Sequence, residues 1–404
     1  MSTIDHQAPP HRTLPSVPVL SPASFFQRGG ASLPSLLDAA AVRMVTSGRI
    51  AIGLALREMG VGPGHTVLVP AYHSPSMIPP VHWCGASVVF YRVRPDSTID
   101  LEDIAAKLDG NVKAVMATHF FGFPQDLRGL RALCDVHGAM LLEDCAHAFF
   151  GHHGGTPVGS TGDYAIGSSM KFYPVYEGGC LVSHRYRLDI PLRSAGPGFE
   201  AKAALAALET AFAHGRLPLT RLALSLPLRL KAALWNALKS RRPAGSAAPA
   251  LAPDSSDSSF NFDSRWLDKR SSLFTRLTMR LASSARIVAL RRRHYLLLQQ
   301  ALAGLPGCRP LHPALPEGAC PWIFPLLVER ADAVAASLRE AGVPMVRFGA
   351  RLWPGVDAAT CVNSAALGRD LIGLPCHQDL RALELERMCD TVRHALGAAA
   401  ALAA

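Results

Sequence analysis

Lys171 stands between a serine pair and a glycine pair, in the run Gly167-Ser168-Ser169-Met170-Lys171-Phe172-Tyr173-Pro174-Val175-Tyr176-Glu177-Gly178-Gly179. The apolar runs Ala165-Ile166 and Cys180-Leu181-Val182 flank it and read as short buried strands. A lysine in such a setting tends to lose its proton, because desolvation disfavours the charged form. The neutral amine is a nucleophile toward aldehydes. The competing reading is a lysine whose stem lies along a strand end with its charge in water. Asp144 follows the apolar run Ala139-Met140-Leu141-Leu142 and Glu143. A carboxylate there can hold a proton on a ring nitrogen, or simply cap a turn. Ser47-Gly48-Arg49 opens the run Ile50-Ala51-Ile52-Gly53-Leu54-Ala55-Leu56. The first N–H groups of a helix lack intrahelical partners and bind phosphate well; an ordinary serine N-cap is the alternative.

Strands and helices alternate around these residues. Thr66–Pro70, Ala86–Tyr91, Val112–Thr118 and Ala139–Asp144 read as strands. Asp100 is a candidate N-cap for the helix that follows it. Leu127, Leu130, Leu133 and Cys134 share one face of a later helix, which Gly138 ends. This alternation predicts an α/β domain with a mostly parallel sheet covered on both faces. Sites in such sheets lie at the carboxyl ends of the strands, where Asp144, His119 and the loop after Val69 fall.

The remainder divides into an N-terminal arm over 1–34, a large domain over 35–199, an insertion and linker over 200–260, and a helical connection with a smaller α+β domain over 261–404. Residues 200–242 pair many leucines with Arg216, Arg221, Arg229, Lys231, Lys239, Arg241 and Arg242, broken by Pro218 and Pro227. Residues 243–259 read as a flexible linker. Strands are expected over Trp322–Val328 and Val343–Arg347. The chain has 404 residues, 49% of them hydrophobic, and no apolar run long enough to span a membrane. Its nine cysteines form no CxxC pair, which argues against a zinc ribbon and fits a reducing cytoplasm. Residues 1–30 do not read as a signal peptide. The net charge of +10 suits an anionic partner, but much of the excess lies in 216–242, away from Lys171.

A phosphate cradle, a ring-facing aspartate and an amine nucleophile, in that order, are what pyridoxal phosphate requires. The stretch from Ser47 to Ser183 resembles the DegT/DnrJ/StrS-type sugar aminotransferases. The matching residues are Ser47-Gly48, Gly62-Pro63-Gly64, Val69-Pro70-Ala71, His119 with Gly122 and Pro124, Glu143 to Ala148, Val158 to Asp163, and Lys171 with Gly178-Gly179. Leu374-Pro375-Cys376-His377 resembles a motif of the family's small domain. The resemblance implies the fold-type-I architecture and pyridoxal 5'-phosphate as cofactor. It implies Lys171 as the Schiff-base lysine and Asp144 beside the pyridine nitrogen. Gly48, Arg49 and Ser168 would hold the phosphate. His147 stands where the family usually has a glutamine near the phenolic oxygen; a surface helix histidine is the alternative.

Certain positions depart from the family pattern. The aromatic usually found after the Pro70 strand is missing, and Tyr72 or His73 is expected to stack on the ring instead. The family's Asn-Tyr-Arg-Met segment is not recognisable, and Asn261-Phe262 is its candidate remnant. His119 and Asn261 are the candidate substrate contacts. The family implies glutamate as amino donor, a nucleotide-linked keto-sugar as acceptor, and a homodimer whose second subunit completes each site. A related group that eliminates a hydroxyl carries histidine in place of the lysine, so Lys171 points to amine transfer. An aminotransferase of a non-sugar ketone is one alternative, and a non-catalytic binding protein on this scaffold is another. No nucleic acid or metal is expected. Peripheral membrane contact through 200–242 is weighed against packing of those helices on their own domain.

Overall fold

A computed structural model of the chain describes residues 13–26, 32–224 and 259–401. The first half runs α1 (Ala23–Phe26), β1 (Ala41–Val45), α2 (Gly48–Glu58), β2 (Thr66–Pro70), α3 (Ile78–Trp83), β3 (Ser87–Tyr91), α4 (Leu101–Lys107), β4 (Val112–Thr118), α5 (Arg128–His137) and β5 (Met140–Asp144). Next come the two-residue strands β6 (His152–His153) and β7 (Thr156–Pro157), then β8 (Tyr164–Ser168) and β9 (Gly179–Ser183). The central sheet has the order β1-β9-β8-β5-β4-β2-β3. β3, β2, β4, β5 and β8 are parallel to one another; β9 runs against both β8 and β1. β4, β5, β8 and β9 are buried along nearly their whole length, which is why they read as unbroken apolar runs.

The expected helix signals hold locally. The Asp100 carboxylate accepts from the N–H of Asp103, and the Ser47 hydroxyl accepts from Ile50 at 3.3 Å. Gly138 closes α5 in the left-handed region at φ 67°, which a side chain would resist. Ile50, Leu54, Val67 and Ile78 pack α2 and α3 on one face of the sheet. Leu68, Tyr91 and Leu130 join the other face to Phe324, Leu338 and Leu374 of the C-terminal part in one core.

After β9 come α6 (Pro197–Ala213), α7 (Pro218–Ala223), α8 (Leu273–Leu281), α9 (Ser284–Ala301), β10 (Cys308–Pro310), β11 (Ile323–Val328), α10 (Ala331–Glu340), α11 (Val362–Asp370), β12 (Leu371–Pro375) and α12 (Ala382–Ala401). β10, β11 and β12 form an antiparallel sheet. The expected strand at 343–347 is reduced to one bridge, Val346 to Gly373. The sequence boundary at 199/200 falls inside α6, which packs against α8. Arg216, one of the basic residues of the leucine-rich segment 200–242, is buried and paired with Glu384 at 2.8 Å. Pro227 and the linker to Ser258 lie outside the described residues. The arm is tied down over its second half. Leu14 donates to Gly342, Val19 donates to the Asp379 carboxylate, and Leu14, Val19 and Leu20 are buried. Among the described residues no helix is long and apolar enough to cross a membrane.

Candidate active site

The loop between β8 and β9 is built to hold Lys171 still. It leaves β8 through a short 3-10 turn, Ser169–Lys171, and is closed at its neck by Ser169 N–H donating to Gly178 at 3.0 Å. Phe172 and Tyr173 anchor it among Phe149 and Phe150. Gly178 donates to the carbonyl of Thr46, so the start of α2 is docked on the same loop. Gly179 makes this approach possible: a Cβ there would lie 2.4 Å from the carbonyl carbon of Ser47. Lys171 is consequently only 9% exposed, and its Nζ lies 4.4 Å from the centroid of the Trp322 ring.

One cavity gathers Gly48, Arg49, Asp144, His147, Ser168 and Lys171. The sheet register explains part of this, because Thr118, Asp144 and Ile166 are neighbours across β4, β5 and β8 at their carboxyl ends. Asp144 accepts from the Ala146 N–H at 2.9 Å and from the Thr118 hydroxyl at 3.4 Å. At the helix end, Gly48 lies against the turn out of β8, 3.7 Å from the Ser168 Cβ as measured to a Cβ built on it. The Arg49 guanidinium donates to the carbonyl of Asn261. Asn261 is exposed, so it reaches this cradle through its backbone.

His147 is 3% exposed, which removes the surface-histidine reading. Its ring stacks on Trp322 at 4.0 Å and lies near-parallel to Phe121 at 6.0 Å. Nδ1 accepts weakly from the Phe121 N–H, leaving Nε2 as the donor of the neutral ring. Burial, reinforced by the charge of Lys171, holds this imidazole well below its ordinary pKa.

Three expected contacts do not reach the cavity. Tyr72 is fully buried and donates to the carbonyl of Phe348, with its ring among Phe120, Phe121 and Phe348. His73 bonds the carbonyls of Pro70 and Ala71 through Nδ1, accepts from Trp353 through Nε2, and stacks on Phe90. Neither can stack on a ring in the cavity. The 3-10 turn at Pro75 brings Ser74 and Ser76 to the wall instead, and the aromatic residue lining the cavity is Phe348. His119 faces the other way. Its Nδ1 accepts from Gln125, and its Nε2 donates to Glu143 at 3.0 Å. Burial raises the Glu143 pKa, but His119 and the N–H groups of Gly159 and Gly162 outweigh it and hold the carboxyl below its usual range. This is a buried structural pair. Phe348 and Trp322 carried no local sequence signal, since they come to the cavity and to Lys171 from segments far along the chain.

A cleft of about 220 Å³ lies beside Lys171, walled by Val17, Met170, Trp322, Met345 and Val346. The arrangement offers an amine, an anion-binding helix end and a buried carboxylate around one space. That donor set fits a phosphorylated pyridine aldehyde.

Known proteins resemble this chain in part of its sequence and in its fold. Residues 31–190 match the sequence model of the DegT/DnrJ/EryC1/StrS aminotransferase family. GDP-perosamine synthase of Vibrio cholerae is 36% identical over 143 residues, covering 35% of this chain and 39% of that protein. The dTDP-3-amino-3,4,6-trideoxy-alpha-D-glucose transaminase of Streptomyces venezuelae is 33% identical over 138 residues, covering 34% and 36%. These matches span less than half the length of each curated relative. The fold extends further. The crystal structure of 3-amino-5-hydroxybenzoic acid synthase aligns with 90% of this chain and 88% of its own, at TM-score 0.61 and 24% identity. PseC of Helicobacter pylori, an aminotransferase involved in the biosynthesis of pseudoaminic acid, aligns with 90% and 88% at TM-score 0.60 and 14% identity. The chain has the fold of these enzymes.

Proposed function

We propose that this chain, which carries the DegT/DnrJ/EryC1/StrS aminotransferase segment over residues 31–190, is a pyridoxal-phosphate-dependent aminotransferase. Its acceptor is a nucleotide-linked keto-sugar, and its amino donor is glutamate. The observation that carries the reading is that Lys171, Asp144 and the N-terminal end of α2 line one cavity. Bound pyridoxal phosphate supplies an electron sink for charge that develops on the donor's α-carbon.

The chain's own residues do the rest. The N–H groups at Gly48 and Arg49, with the Ser168 hydroxyl, hold the phosphate where the helix end favours an anion. Asp144, kept in place by Ala146 and Thr118, holds the proton on the ring nitrogen. His147, neutral and stacked on Trp322, would present one N–H to an oxygen of the ring. The Lys171 amine would bind the cofactor's aldehyde, and its Nζ would serve as general base and general acid for the donor's α-proton.

The sugar acceptor is supported by what the relatives are named for, and by the open cleft beside Lys171. We assign a homodimer and a cytoplasmic location to the same reading. Peripheral membrane contact is a second reading, favoured by Leu219 and Leu222, which stand 81% and 72% exposed on α7. The test of the function is amine transfer from glutamate to a panel of nucleotide-linked keto-sugars, read by mass spectrometry. The expected result is an amino-sugar product with the wild-type protein and none with Lys171→Ala. Transfer only to small keto acids would overturn the sugar assignment. Absence of transfer with every donor and acceptor would overturn the enzyme.

A further inference from the structure

Arg291 of α9 is fully buried, yet no carboxylate is among its hydrogen-bond acceptors. Its Nη2 donates to the carbonyl of Lys171 at 2.6 Å. Its Nη1 donates to the carbonyls of Pro321 and Trp322, each at 3.1 Å. Its Nε donates to the Gln378 side-chain oxygen at 2.9 Å, and the guanidinium lies 4.5 Å from the centroid of Phe172. Gln378 turns its own amide to the carbonyl of Phe172 at 2.9 Å. Two consecutive carbonyls of the Lys171 loop are thus held by side chains from α9 and from the segment after β12. The same guanidinium holds the backbone of Trp322, whose ring lies beneath the Lys171 amine.

We infer that Arg291 and Gln378 are positioning residues for Lys171, setting its main chain and the Trp322 ring in fixed relation so that the amine meets an aldehyde at the right distance. The inference rests on the reading of Lys171 as the aldehyde-binding amine. Filling the space alone would not call for a guanidinium. Apolar residues of similar volume commonly replace buried charges without loss of stability. What arginine adds is a rigid fork of donors that reaches several carbonyls at once. Lysine offers only a compact charge. The two loop carbonyls would otherwise be buried without partners. A misplacement of about 1 Å of a reacting group costs on the order of 100-fold in rate. A shift of half that size is worth about tenfold on the same scale.

The experiment uses the full-length apoprotein with added pyridoxal phosphate. Growth of the visible band measures capture of the aldehyde by Lys171, in which one C=N bond forms and one water leaves. Gln378→Glu keeps the acceptor for the Arg291 Nε but removes the donor to Phe172. Arg291→Lys keeps the charge but loses the fork. Each substitution is also made in a Lys171→Ala background, where non-covalent cofactor affinity is measured, and melting temperature is followed throughout. The expected result is that Gln378→Glu still melts cooperatively, below wild type because the Phe172 carbonyl loses its donor, and captures the aldehyde about tenfold more slowly. Its non-covalent affinity stays within about twofold, well below the tenfold that 1.4 kcal/mol represents. Arg291→Lys should slow capture at least as much. Capture at the wild-type rate in Gln378→Glu would overturn the inference, as would an equal loss of capture and non-covalent affinity. If Lys171→Ala alone still forms the band, the lysine assignment itself fails, which is a separate result.

Discussion

Gly179→Ala is the cleanest perturbation of the proposed phosphate cradle. Gly179 does not lie in the left-handed region, so alanine is conformationally allowed and the effect is steric. The new Cβ would lie 2.4 Å from the carbonyl carbon of Ser47 and 2.6 Å from the nitrogen of Gly48, where ordinary contact begins at 3.4 Å. The start of α2 and the head of β9 must therefore part by about 1 Å, and a hydrogen bond lengthened by that much from about 2.9 Å is no longer one. A hydrogen bond to a charged group contributes about 1.5–3 kcal/mol. Losing one from Gly48 to the phosphate should weaken cofactor binding by about 12- to 160-fold. Overpacking of this kind also costs about 1–3 kcal/mol of stability. The assay is titration with pyridoxal phosphate in a Lys171→Ala background, so that only non-covalent binding is read. Gly110→Ala is the control, since a Cβ there meets nothing within 4 Å. Affinity within about twofold of the parent, less than 0.5 kcal/mol, would show that α2 does not hold the phosphate.

Asp144→Asn should lower kcat by about 100- to 1,000-fold, the range for a removed electrostatic group; a rate within threefold of wild type, about 0.65 kcal/mol, would rule out the ring-facing role. His73 and His377 are buried, chiefly lowering their pKa values to about 4 and about 3 from 6.5. Each folded-state value lies below the unfolded one, so stability is complete above pH 6.5 and falls as pH drops toward 4, by up to about 1.4 kcal/mol per pH unit for each histidine. His377→Gln should flatten that slope in urea melts between pH 6.5 and 5, and an unchanged slope would contradict the burial argument. If α7 touches membranes, Leu219→Asp with Leu222→Asp should reduce co-sedimentation with anionic vesicles; equal sedimentation of variant and wild type removes that reading.

What the sequence disclosed, and what it hid, follows from how far apart the cooperating residues lie. Lys171 and Asp144 were legible as candidates because each lies at or just past the end of an apolar run, and the end of a buried parallel strand is where such sheets place chemistry. The proposed phosphate cradle was legible as a helix start. Tyr72 and His73 were misjudged because a strand's end and a turn's beginning look alike in sequence. The Ser74-Pro75-Ser76 turn sends the aromatic ring into the core and the serines to the cavity wall. Phe348 completes the cavity wall and Trp322 the wall of the adjacent cleft, both from distant segments that no local pattern announces. Arg291 is the first of three consecutive arginines in the sequence, and only tertiary packing makes it the buried member. Arg216 was hidden the same way: its partner Glu384 lies near the far end of the chain.

The central claim is that the Lys171 amine captures the cofactor's aldehyde. The direct measurement is to incubate the purified protein with pyridoxal phosphate, reduce with borohydride, digest, and map the modified peptide by mass spectrometry. The account predicts one dominant modified residue, Lys171, and loss of the visible band in Lys171→Ala. Label spread over surface lysines, or a band and label that persist undiminished in Lys171→Ala, would contradict it.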